Sequence, residues 1–464
     1  MVRGIVWFRN DLRLHDNEAL TDAIKTCDEV LPVYVFDTRL LRGYTKFGFR
    51  KVDRHRAKFI LESIQDLSDQ LKSLGLKLYI RLGKPEEEIL NLAKEVKSSW
   101  IFCNRERTQE EVTVQDALEQ SLWTVGQEVR FYRGKMLYHT ADLPFPVTHT
   151  PDIFTNFRKE VEKIVPIRNP LPPPQSQDVR PISLTLDFGN VPSLSDFNLS
   201  EDEDDITAVK GGETAALAQL DDYLWKTHRV QNYYNTRNDL LGDTFSSRMS
   251  AYLAQGCISP KKIYSELKRY EVNEVANKST YWLFFELLWR DFFRLIAKKY
   301  GNAIFKQSGT ANKELKLKES NWERIALWTN GETGIPFIDA NMKELNRTGF
   351  MSNRGRQNVA SFFIHDLKEN WLIGAEYFES MLIDYDPCSN YGNWNYLAGV
   401  GCDPRENRYF NILAQAKKYD SNGRYVTHWL PVLKKADSQS IHTPDHAQIE
   451  GYPEPMVSFD VWGD

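Results

Sequence analysis

The chain has 464 residues, of which 41% are hydrophobic and 27% are charged, and its mean hydropathy is −0.51. This is too long for one ordinary domain, and the composition excludes a disordered, collagen-like or disulfide-rich chain. No run of about 18 apolar residues is present, which argues against a membrane span. Near the N-terminus, an apolar run of only four residues is followed by charged ones, which is too short for the core of a signal peptide. The five cysteines are scattered and form no CxxC pair. We therefore expect a cytoplasmic protein with free thiols and no metal site.

The first 135 residues alternate strand and helix signals. Short β-rich runs occupy residues 4–8, 31–36, 77–82, 100–104 and 128–132, and helical stretches lie between them. Strands that alternate with crossover helices form a parallel sheet covered on both faces. We predict such a Rossmann-like α/β domain for residues 1–135. No G-x-G-x-x-G sequence follows any strand, so the usual dinucleotide fingerprint is absent.

The composition and the hydrophobic periodicity of the remaining chain change twice. Residues 136–210 are rich in proline and serine and poor in periodicity, which predicts a long interdomain linker. Residues 211–435 predict helices almost throughout, and the apolar segment 280–300 predicts burial inside an all-α domain. The short acidic tail, 436–464, has no apolar pattern, and we expect it to be loosely ordered.

Aromatic residues make up 12% of the chain, and nine of its 12 tryptophans follow residue 210. The segment 211–435 is also mildly basic, with 30 basic and 25 acidic residues, whereas the linker and the tail are acidic. Basic charge with aromatic rings is typical of single-stranded nucleic-acid binding. Core packing is the simpler explanation of the same rings.

One predicted helix carries charged residues among large apolar ones. Glu286, Trp289, Arg290 and Phe293 share one face by their i, i+3, i+4, i+7 spacing. This pattern fits an ordinary ion pair between Glu286 and Arg290. It also fits a buried acid beside an indole, able to hold and protonate a base-like ligand.

Two helix starts carry polar groups suited to an anion. Asn353, Arg354 and Arg356 offer donors to phosphate or carbonyl oxygens, and Ser246 and Ser247 precede another helix. A plain double N-cap explains the two serines equally well.

Asp384, Asp386 and Asn390 stand close together in the sequence LIDYDPCSNYGNWNY (382–396), bracketed by aromatic rings. The D-x-D-x-D-G order of a calcium loop is missing, so we predict no metal here.

Several motifs, in this order along the chain, resemble the photolyase/cryptochrome family. They are WFRNDLRLHDNEAL (7–20), YYNTRN with FSSRMSAYLAQGCISP (233–260), ELLWRDFF (286–293), TGIPFIDANMKEL (333–345), NRGRQNVASF (353–362), LIDYDPCSNYGNWNY (382–396) and NRYFNILAQAKKYD (407–420). Within them, SNRGRQNVASF, YDPCSNYGNWNY and AGVGCDPRENRYFN are most similar to the cryptochrome DASH branch. The resemblance runs from residue 5 to residue 433.

The resemblance implies an N-terminal α/β domain and a C-terminal helical domain that holds FAD in a bent form. The residues it implies along the FAD phosphates and ribityl chain are Tyr233, Ser246, Ser247, Arg248, Met249 and Ser250. Those it implies at the flavin and the sugar are Asn353, Arg356, Asp384 and Asp386, with Asn390 facing the reactive ring nitrogen.

The activity implied by the resemblance is light-driven electron donation from reduced FAD to a cyclobutane pyrimidine dimer, which must leave the base stack to reach the flavin. Trp289 would stack on the dimer, Glu286 would hydrogen-bond to it, and Arg290 and Arg237 would lie near backbone phosphate. The resemblance also implies that Asn353, Gln357 and Tyr396 bind the substrate. Gln357 and Tyr396 stand where double-strand photolyases usually have Met and Trp, which implies the DASH preference for single-stranded DNA.

The resemblance also implies an electron-transfer path to the flavin and a site for a light-harvesting antenna. Trp394 and Trp371 match the first two members of a tryptophan row that reduces the flavin. Lys318 stands where the third is expected, so either Trp322 or Trp328 takes its place or the path ends early. The antenna implied for the DASH branch is 5,10-methenyltetrahydrofolate in a cleft between the domains. The segment 103–118 resembles the one that holds it, with Glu111 as the pterin ligand unless the segment is a solvated helix face.

The first hypothesis is therefore an FAD-dependent photolyase of the DASH type, acting on pyrimidine dimers in single-stranded DNA, with RNA as a second possible partner. We expect a monomer. The main alternative is a blue-light receptor with little repair, and a third is a nucleic-acid-binding flavoprotein. The short acidic segment after Leu433 favours the enzyme, because signalling members often carry long extensions.

Overall fold

The computed structural model describes residues 1–206, 209–242, 244–401, 408–436, 440–444 and 449–463. The chain divides into two compact units. Unit 1 comprises Met1–Glu201, Val209–Gln231 and Ser247–Gly301, and unit 2 comprises Asp202–Ala208, Asn232–Ser246 and Asn302–Asp464. Two stretches of the predicted helical domain thus belong to unit 1, while the linear domain boundaries stay a prediction.

Unit 1 contains a five-stranded parallel sheet, which confirms the predicted fold class. Its strands are β1 (Arg3–Phe8), β2 (Glu29–Asp37), β3 (Tyr79–Gly83), β4 (Trp100–Asn104) and β5 (Glu128–Tyr132), in the order β3-β2-β1-β4-β5. The register places Ile5 of β1 between Leu31 of β2 and Ile101 of β4, and all three side chains are buried. Central strands covered on both faces need such continuous apolar runs.

Helices connect the strands and are the main regular structure in the described part of the chain outside the sheet. The first six are α1 (Glu18–Thr26), α2 (Thr38–Leu41), α3 (Arg54–Ser73), α4 (Pro85–Val96), α5 (Gln109–Trp123) and α6 (Phe154–Val161). The next six are α7 (Glu213–Asp221), α8 (Tyr233–Thr236), α9 (Met249–Gln255), α10 (Pro260–Asn273), α11 (Lys278–Tyr300) and α12 (Trp322–Asn330). The last six are α13 (Pro336–Thr348), α14 (Asn353–Ser361), α15 (Trp371–Met381), α16 (Pro387–Leu397), α17 (Ile412–Tyr419) and α18 (Arg424–Trp429).

Helix α11 of unit 1 is the longest element. The side chain of Asn277 caps it by accepting the N–H groups of Ser279 and Thr280, and Gly301 ends it. Thirteen of its side chains are buried, including Asp291 and Arg294, as expected for a helix apolar nearly all round. The predicted linker supplies part of its packing, because Phe154 of α6 is buried against Phe292.

The C-terminal tail was expected to be loosely ordered, and this expectation is wrong for its described residues. Ile441, Ile449, Tyr452 and Trp462 are all buried. The tail is also fixed by hydrogen bonds within unit 2, such as that from the Met456 N–H to the Thr333 carbonyl (2.8 Å). Isolated apolar anchors produce no periodic pattern, so their burial is invisible to periodicity analysis. None of the helices in the described part of the chain combines the length and hydropathy needed to cross a bilayer.

Candidate functional site

A bidentate ion pair joins two of the predicted flavin-binding residues in unit 2. The guanidinium of Arg356 donates to both carboxylate oxygens of Asp384, at 3.0 and 2.8 Å. The Asp384 side chain is 2% exposed and that of Arg356 is 26% exposed. Ser352 caps α14 by accepting the N–H of Gly355 (3.0 Å), which fixes the turn that carries Arg356. A guanidinium held by a buried carboxylate is well placed to bind a polar ligand.

Helix α16 orients the predicted ring-nitrogen ligand. Asp386 is its N-cap and accepts the Ser389 N–H (2.9 Å), and Pro387 begins the helix. One turn on, the amide nitrogen of Asn390 donates to the Ala375 carbonyl of α15 (3.0 Å). This bond fixes the orientation of the buried amide, and its oxygen is the acceptor that Asn390 offers to a ligand.

Other predicted residues on α14 have different surroundings. Asn353 is exposed, whereas Gln357 is half-buried. The side-chain oxygen of Gln357 is buried and has no hydrogen-bond partner among the residues that the structure describes. Arg354 donates to the Asn238 side chain (3.3 Å) and lies 4.9 Å from the Tyr419 ring centroid.

The predicted phosphate-binding segment is divided between the two units. Tyr233 is buried at the start of α8 in unit 2, with Arg237 at the end of that helix and Ser246 half-buried further on. The remaining members, Ser247, Arg248, Met249 and Ser250, lie in unit 1.

The double serine cap, which was one of two interpretations of Ser246 and Ser247, is not formed at α9. Arg248 is the N-cap, in the left-handed conformation with φ 53°, and it makes no side-chain cap bond. The hydroxyl of Ser247 accepts the Met249 N–H at 3.4 Å, and Ser250 is exposed. A positive φ at a non-glycine residue is uncommon and often marks a functional turn.

In unit 1, Trp289 is stacked on Phe154 of α6, with ring centroids 3.7 Å apart and planes 7° apart. The indole is half-buried, as is Glu286 one turn earlier. Arg290, predicted near phosphate, donates to the backbone carbonyls of Lys135 (2.7 Å) and Leu253 (3.2 Å). Its guanidinium therefore anchors α11 within unit 1.

Tyr396, predicted to contact the substrate, lies under a guanidinium in unit 2. Arg408 lies 4.4 Å from the Tyr396 ring centroid, a cation–π distance. Burial lowers the pKa of Arg408 below its ordinary value, and the interaction with Tyr396 offsets part of this decrease. The pair forms a flat, cationic surface suited to a base and its phosphate.

The tryptophans of the predicted electron path differ in exposure. Trp394 and Trp371 are buried, at 2% and 1% exposure, and Trp328 is fully buried. Trp322 is 50% exposed, and Lys318 is exposed. Of the two substitutes for the third tryptophan, only Trp322 has the solvent exposure of a surface terminus.

The predicted antenna ligand belongs to a polar cluster in unit 1. Glu111 accepts hydrogen bonds from the Thr108 hydroxyl (2.7 Å) and the Asn10 amide (3.2 Å). Burial, reinforced by the negative charge of Glu106, raises the pKa of Glu111. Its neighbour Glu110 is largely exposed and pairs with Lys51, so it is the one on the solvated face.

Comparison with known proteins decides the family. The chain matches the family model described as DNA photolyase at residues 4–175, and that described as the FAD binding domain of DNA photolyase at residues 282–462. It is 47% identical to a protein named cryptochrome DASH from Synechocystis sp. over 440 residues, covering 95% of this chain and 90% of that protein. The chain belongs to the cryptochrome DASH branch of the photolyase/cryptochrome family.

Further relatives agree with this assignment. A cryptochrome DASH from Xenopus laevis is 45% identical over 99% of this chain and 90% of its own length. The crystal structure of a Synechocystis sp. cryptochrome aligns with a TM-score of 0.94 at 45% identity, covering 100% of this chain and 98% of that chain. A class III photolyase from Agrobacterium tumefaciens aligns with a TM-score of 0.86 at 28% identity, covering 100% and 95%.

The residues of unit 2 fit the FAD that a cryptochrome DASH domain binds. The partnerless buried oxygen of Gln357, the oriented amide of Asn390 and the Arg356–Asp384 pair offer acceptors and donors to a polar ring system. Among the described residues, no group of three or more His, Cys, Asp or Glu side chains is arranged to hold a metal ion.

Sequence analysis missed two residues of this cryptochrome DASH chain that contact predicted site residues. Phe154 lies in the segment interpreted as a linker, and its stacking on Trp289 spans 135 positions, which leaves no local signal. Arg408 stands inside the quoted motif NRYFN, so that motif was the signal that could have identified it.

Proposed function

We propose that this protein is an FAD-dependent enzyme that uses light to repair cyclobutane pyrimidine dimers, preferentially in single-stranded DNA. The observation that carries the proposal is the Trp289 indole, half-buried and stacked at 3.7 Å on Phe154. Phe292 and Phe293 also lie against this indole, with ring centroids 5.7 and 5.5 Å away, so it is held rigidly, and a rigid indole is suited to stacking on a flat, uncharged ligand.

Glu286, on the same helix as Trp289, provides an acidic group beside this indole. Glu286 precedes Trp289 by three positions on α11, so both side chains lie on one face. When bound, reduced FAD supplies a light-excited electron to the dimer. Glu286 would then hydrogen-bond to the dimer and stabilise the negative charge that develops on it.

The flavin would be held by the residues of unit 2. Arg356, fixed by Asp384, and the oxygen of Asn390 would orient the ring system through charge-assisted and neutral hydrogen bonds. The hydroxyls and backbone of Tyr233 and Ser246 in the same unit would contact the phosphates and ribityl chain. The match to the FAD binding domain model, at residues 282–462, includes Arg356, Asp384 and Asn390.

The single-strand preference rests on Tyr396 and Arg408. A phenol offers less stacking area than an indole, so it compensates less for opening a duplex, which costs a few kcal/mol per base. A base that is already unpaired avoids this cost. The guanidinium of Arg408, 4.4 Å from the ring, would add attraction to the backbone of a flexible strand.

For the antenna, we propose 5,10-methenyltetrahydrofolate with Glu111 as its ligand. The Thr108 hydroxyl and the Asn10 amide orient the Glu111 carboxyl, whose oxygens can accept hydrogen bonds from the N–H groups of a pterin edge.

The test is light-dependent loss of dimers in matched single-stranded and duplex oligonucleotides. We expect faster repair of the single strand, loss of repair in Trp289→Ala, and a smaller difference between the substrates in Tyr396→Trp. A Trp123→Ala variant, which removes an indole that is 82% exposed, is the matched control and retains wild-type rates.

Equal rates on both substrates would overturn the strand preference. Yellow protein that binds DNA but removes no dimers would overturn the enzyme and favour the blue-light receptor. An RNA oligonucleotide added as a competitor in the same assay measures whether the protein also binds RNA.

A further inference from the structure

The two buried tryptophans of the electron path lie on α15 and α16, which pack against each other. A Cβ atom on Gly374, three residues after Trp371, would lie 2.3 Å from the Trp394 ring, so only glycine allows the indole to lie against α15 here. The Trp394 indole therefore lies against α15 about one helical turn from Trp371, and both indoles are buried inside unit 2, at 2% and 1% exposure.

A tyrosine adjoins Trp371 at the same helix contact. Tyr391, three residues before Trp394 on α16, has its ring centroid 6.4 Å from that of Trp371, with the planes at 73°. Its ring is buried, and its hydroxyl donates to the carboxylate of Glu379 on α15 (3.1 Å). Tyr391 thus joins an indole on one side to a carboxylate on the other.

The hydrogen bonds of the two rings give them different redox chemistry. The indole N–H of Trp371 donates to the backbone carbonyl of Gln307 (3.1 Å), which is not a base that can accept the proton. An oxidised Trp371 therefore keeps its proton and remains a strongly oxidising radical cation. A phenol, in contrast, becomes very acidic when it loses an electron, so it is oxidised readily where a base lies within hydrogen-bond distance.

Glu379 is arranged as that base. One of its oxygens accepts hydrogen bonds from two phenols, Tyr391 (3.1 Å) and Tyr385 (2.9 Å). An ionised carboxylate only accepts hydrogen bonds, so two donors on one oxygen match the ionised form. Both Glu379 and Tyr385 are half-buried, whereas Tyr391 is buried.

We propose that Tyr391 reduces oxidised Trp371 by a proton-coupled electron transfer in which Glu379 takes the proton. This inference rests on the proposed function, since the oxidant is photoexcited oxidised flavin acting through Trp394 and Trp371. One electron passes from Tyr391 to the Trp371 radical cation, and the phenolic proton passes to the Glu379 carboxylate. The products are neutral Trp371, a neutral Tyr391 radical and a protonated Glu379.

This step supplies an electron donor in place of the third tryptophan that the chain lacks at position 318. Lys318 stands where a third tryptophan is expected, and a lysine cannot donate the electron. Return of the electron from the flavin side would require the proton on Glu379 to return to Tyr391. The coupled proton therefore slows charge recombination and lengthens the life of the reduced flavin.

Flash photolysis of the FAD-loaded full chain, with electron paramagnetic resonance of the trapped radical, tests the proposal. The wild-type protein should give a neutral tyrosyl radical, formed more slowly in D2O than in H2O. Tyr391→Phe and Glu379→Gln should each lose the tyrosyl signal and give a tryptophan radical that recombines faster, and Glu379→Asp should restore the tyrosyl signal.

Tyr377→Phe is the matched control. This tyrosine is also on α15 and buried, but its hydroxyl donates to the carbonyl oxygens of Thr329 (3.1 Å) and the Asn346 side chain (2.5 Å), neither of which is a base. The tyrosyl signal should survive in this variant.

The outcomes separate the inference from the function on which it rests. If Trp371→Phe abolishes radical formation while Tyr391→Phe leaves the wild-type radical unchanged, the role of Tyr391 is refuted and the tryptophan path stands. Loss of that same radical in Trp322→Phe would then assign the terminus to Trp322. If the wild-type flavin is not photoreduced at all, the electron path itself is refuted.

Discussion

Two buried carboxyl groups, one in each unit, are stabilised by opposite means. In unit 1, the 2% exposed Glu106 is paired with Lys135 and lies 3.4 Å from the Arg294 guanidinium. In unit 2, the fully buried Asp339 accepts hydrogen bonds from the neutral donors of Thr333, Gly334 and Tyr452.

The two environments move the carboxyl pKa values in opposite directions. Burial alone would raise the pKa of Glu106, but the charges of Lys135, Arg9 and Arg294 lower it below its usual value. Burial raises the pKa of Asp339 to about 6, because its neutral donors only partly offset the desolvation. Cations thus keep a buried acid ionised, whereas neutral donors alone leave it close to protonation at neutral pH.

Removing the cation from the first carboxyl should have the largest effect on stability. Lys135→Met leaves Glu106 buried with only the weaker interactions of Arg9 and Arg294, and breaking a buried pair in this way costs about 3–5 kcal/mol. We expect the urea midpoint of unit 1 to fall, measured by hydrogen exchange of the β4 and α5 peptides. In the control Lys84→Met, which removes an exposed pair with Glu87, the midpoint should not change.

The pH dependence of stability should have opposite signs in the two units. Asp339 contributes stability that is present below about pH 4 and is lost as the pH rises through about 6, roughly 3 kcal/mol for a shift of about two pKa units. Glu106 contributes stability that is present above its usual pKa and is lost as the pH falls through its lowered value.

Hydrogen exchange of α13 and of α5 over this pH range, corrected for intrinsic rates, measures both slopes. If stability changed with pH in the same direction in both units, the opposite effects inferred for Asp339 and Glu106 would be contradicted.

The Arg356–Asp384 ion pair of unit 2, which we propose binds the flavin, provides an intermediate case, because here a partly exposed cation is paired with a buried acid. Asp384→Asn removes the charge that orients Arg356, and a charge-assisted hydrogen bond contributes about 1.5–3 kcal/mol. We expect FAD affinity to fall roughly tenfold or more, measured by titration of the apoprotein. Glu332→Gln, which removes the exposed pair with Lys343, should leave FAD affinity unchanged, and a similar loss there would contradict a specific role for Asp384.

The smallest effect is expected from removing one neutral donor. Tyr452→Phe deletes the hydroxyl that donates to Asp339 (2.8 Å) and should cost about 1 kcal/mol, while raising the pKa of Asp339 further. Exchange protection of α13 measures the loss. Tyr409→Phe deletes a more exposed phenol bonded to Asp366 (3.2 Å), and an equal loss of α13 protection in this variant would show that the effect is not specific to Asp339.

Much of the site was predictable because its residues lie in short, continuous motifs. Arg356 was assigned from one such segment and Asp384 and Asn390 from another, and the structure joins Arg356 to Asp384 directly. The roles of the neighbours were less predictable. Arg290 was expected near phosphate, but its guanidinium donates to two backbone carbonyls, since α11 is anchored by segments far away in the sequence.

The amino-acid sequence by itself determined the parallel α/β fold and the helical second half, because strand and helix periodicities are local properties of the chain. It also determined the family, through motifs that each occupy a single stretch. Only the tertiary structure decided which distant side chains meet: Phe154 with Trp289, Glu106 with Arg294, and Tyr452 with Asp339. These contacts span 113 to 188 positions, and they depend on how whole elements pack, which no local pattern of residues specifies.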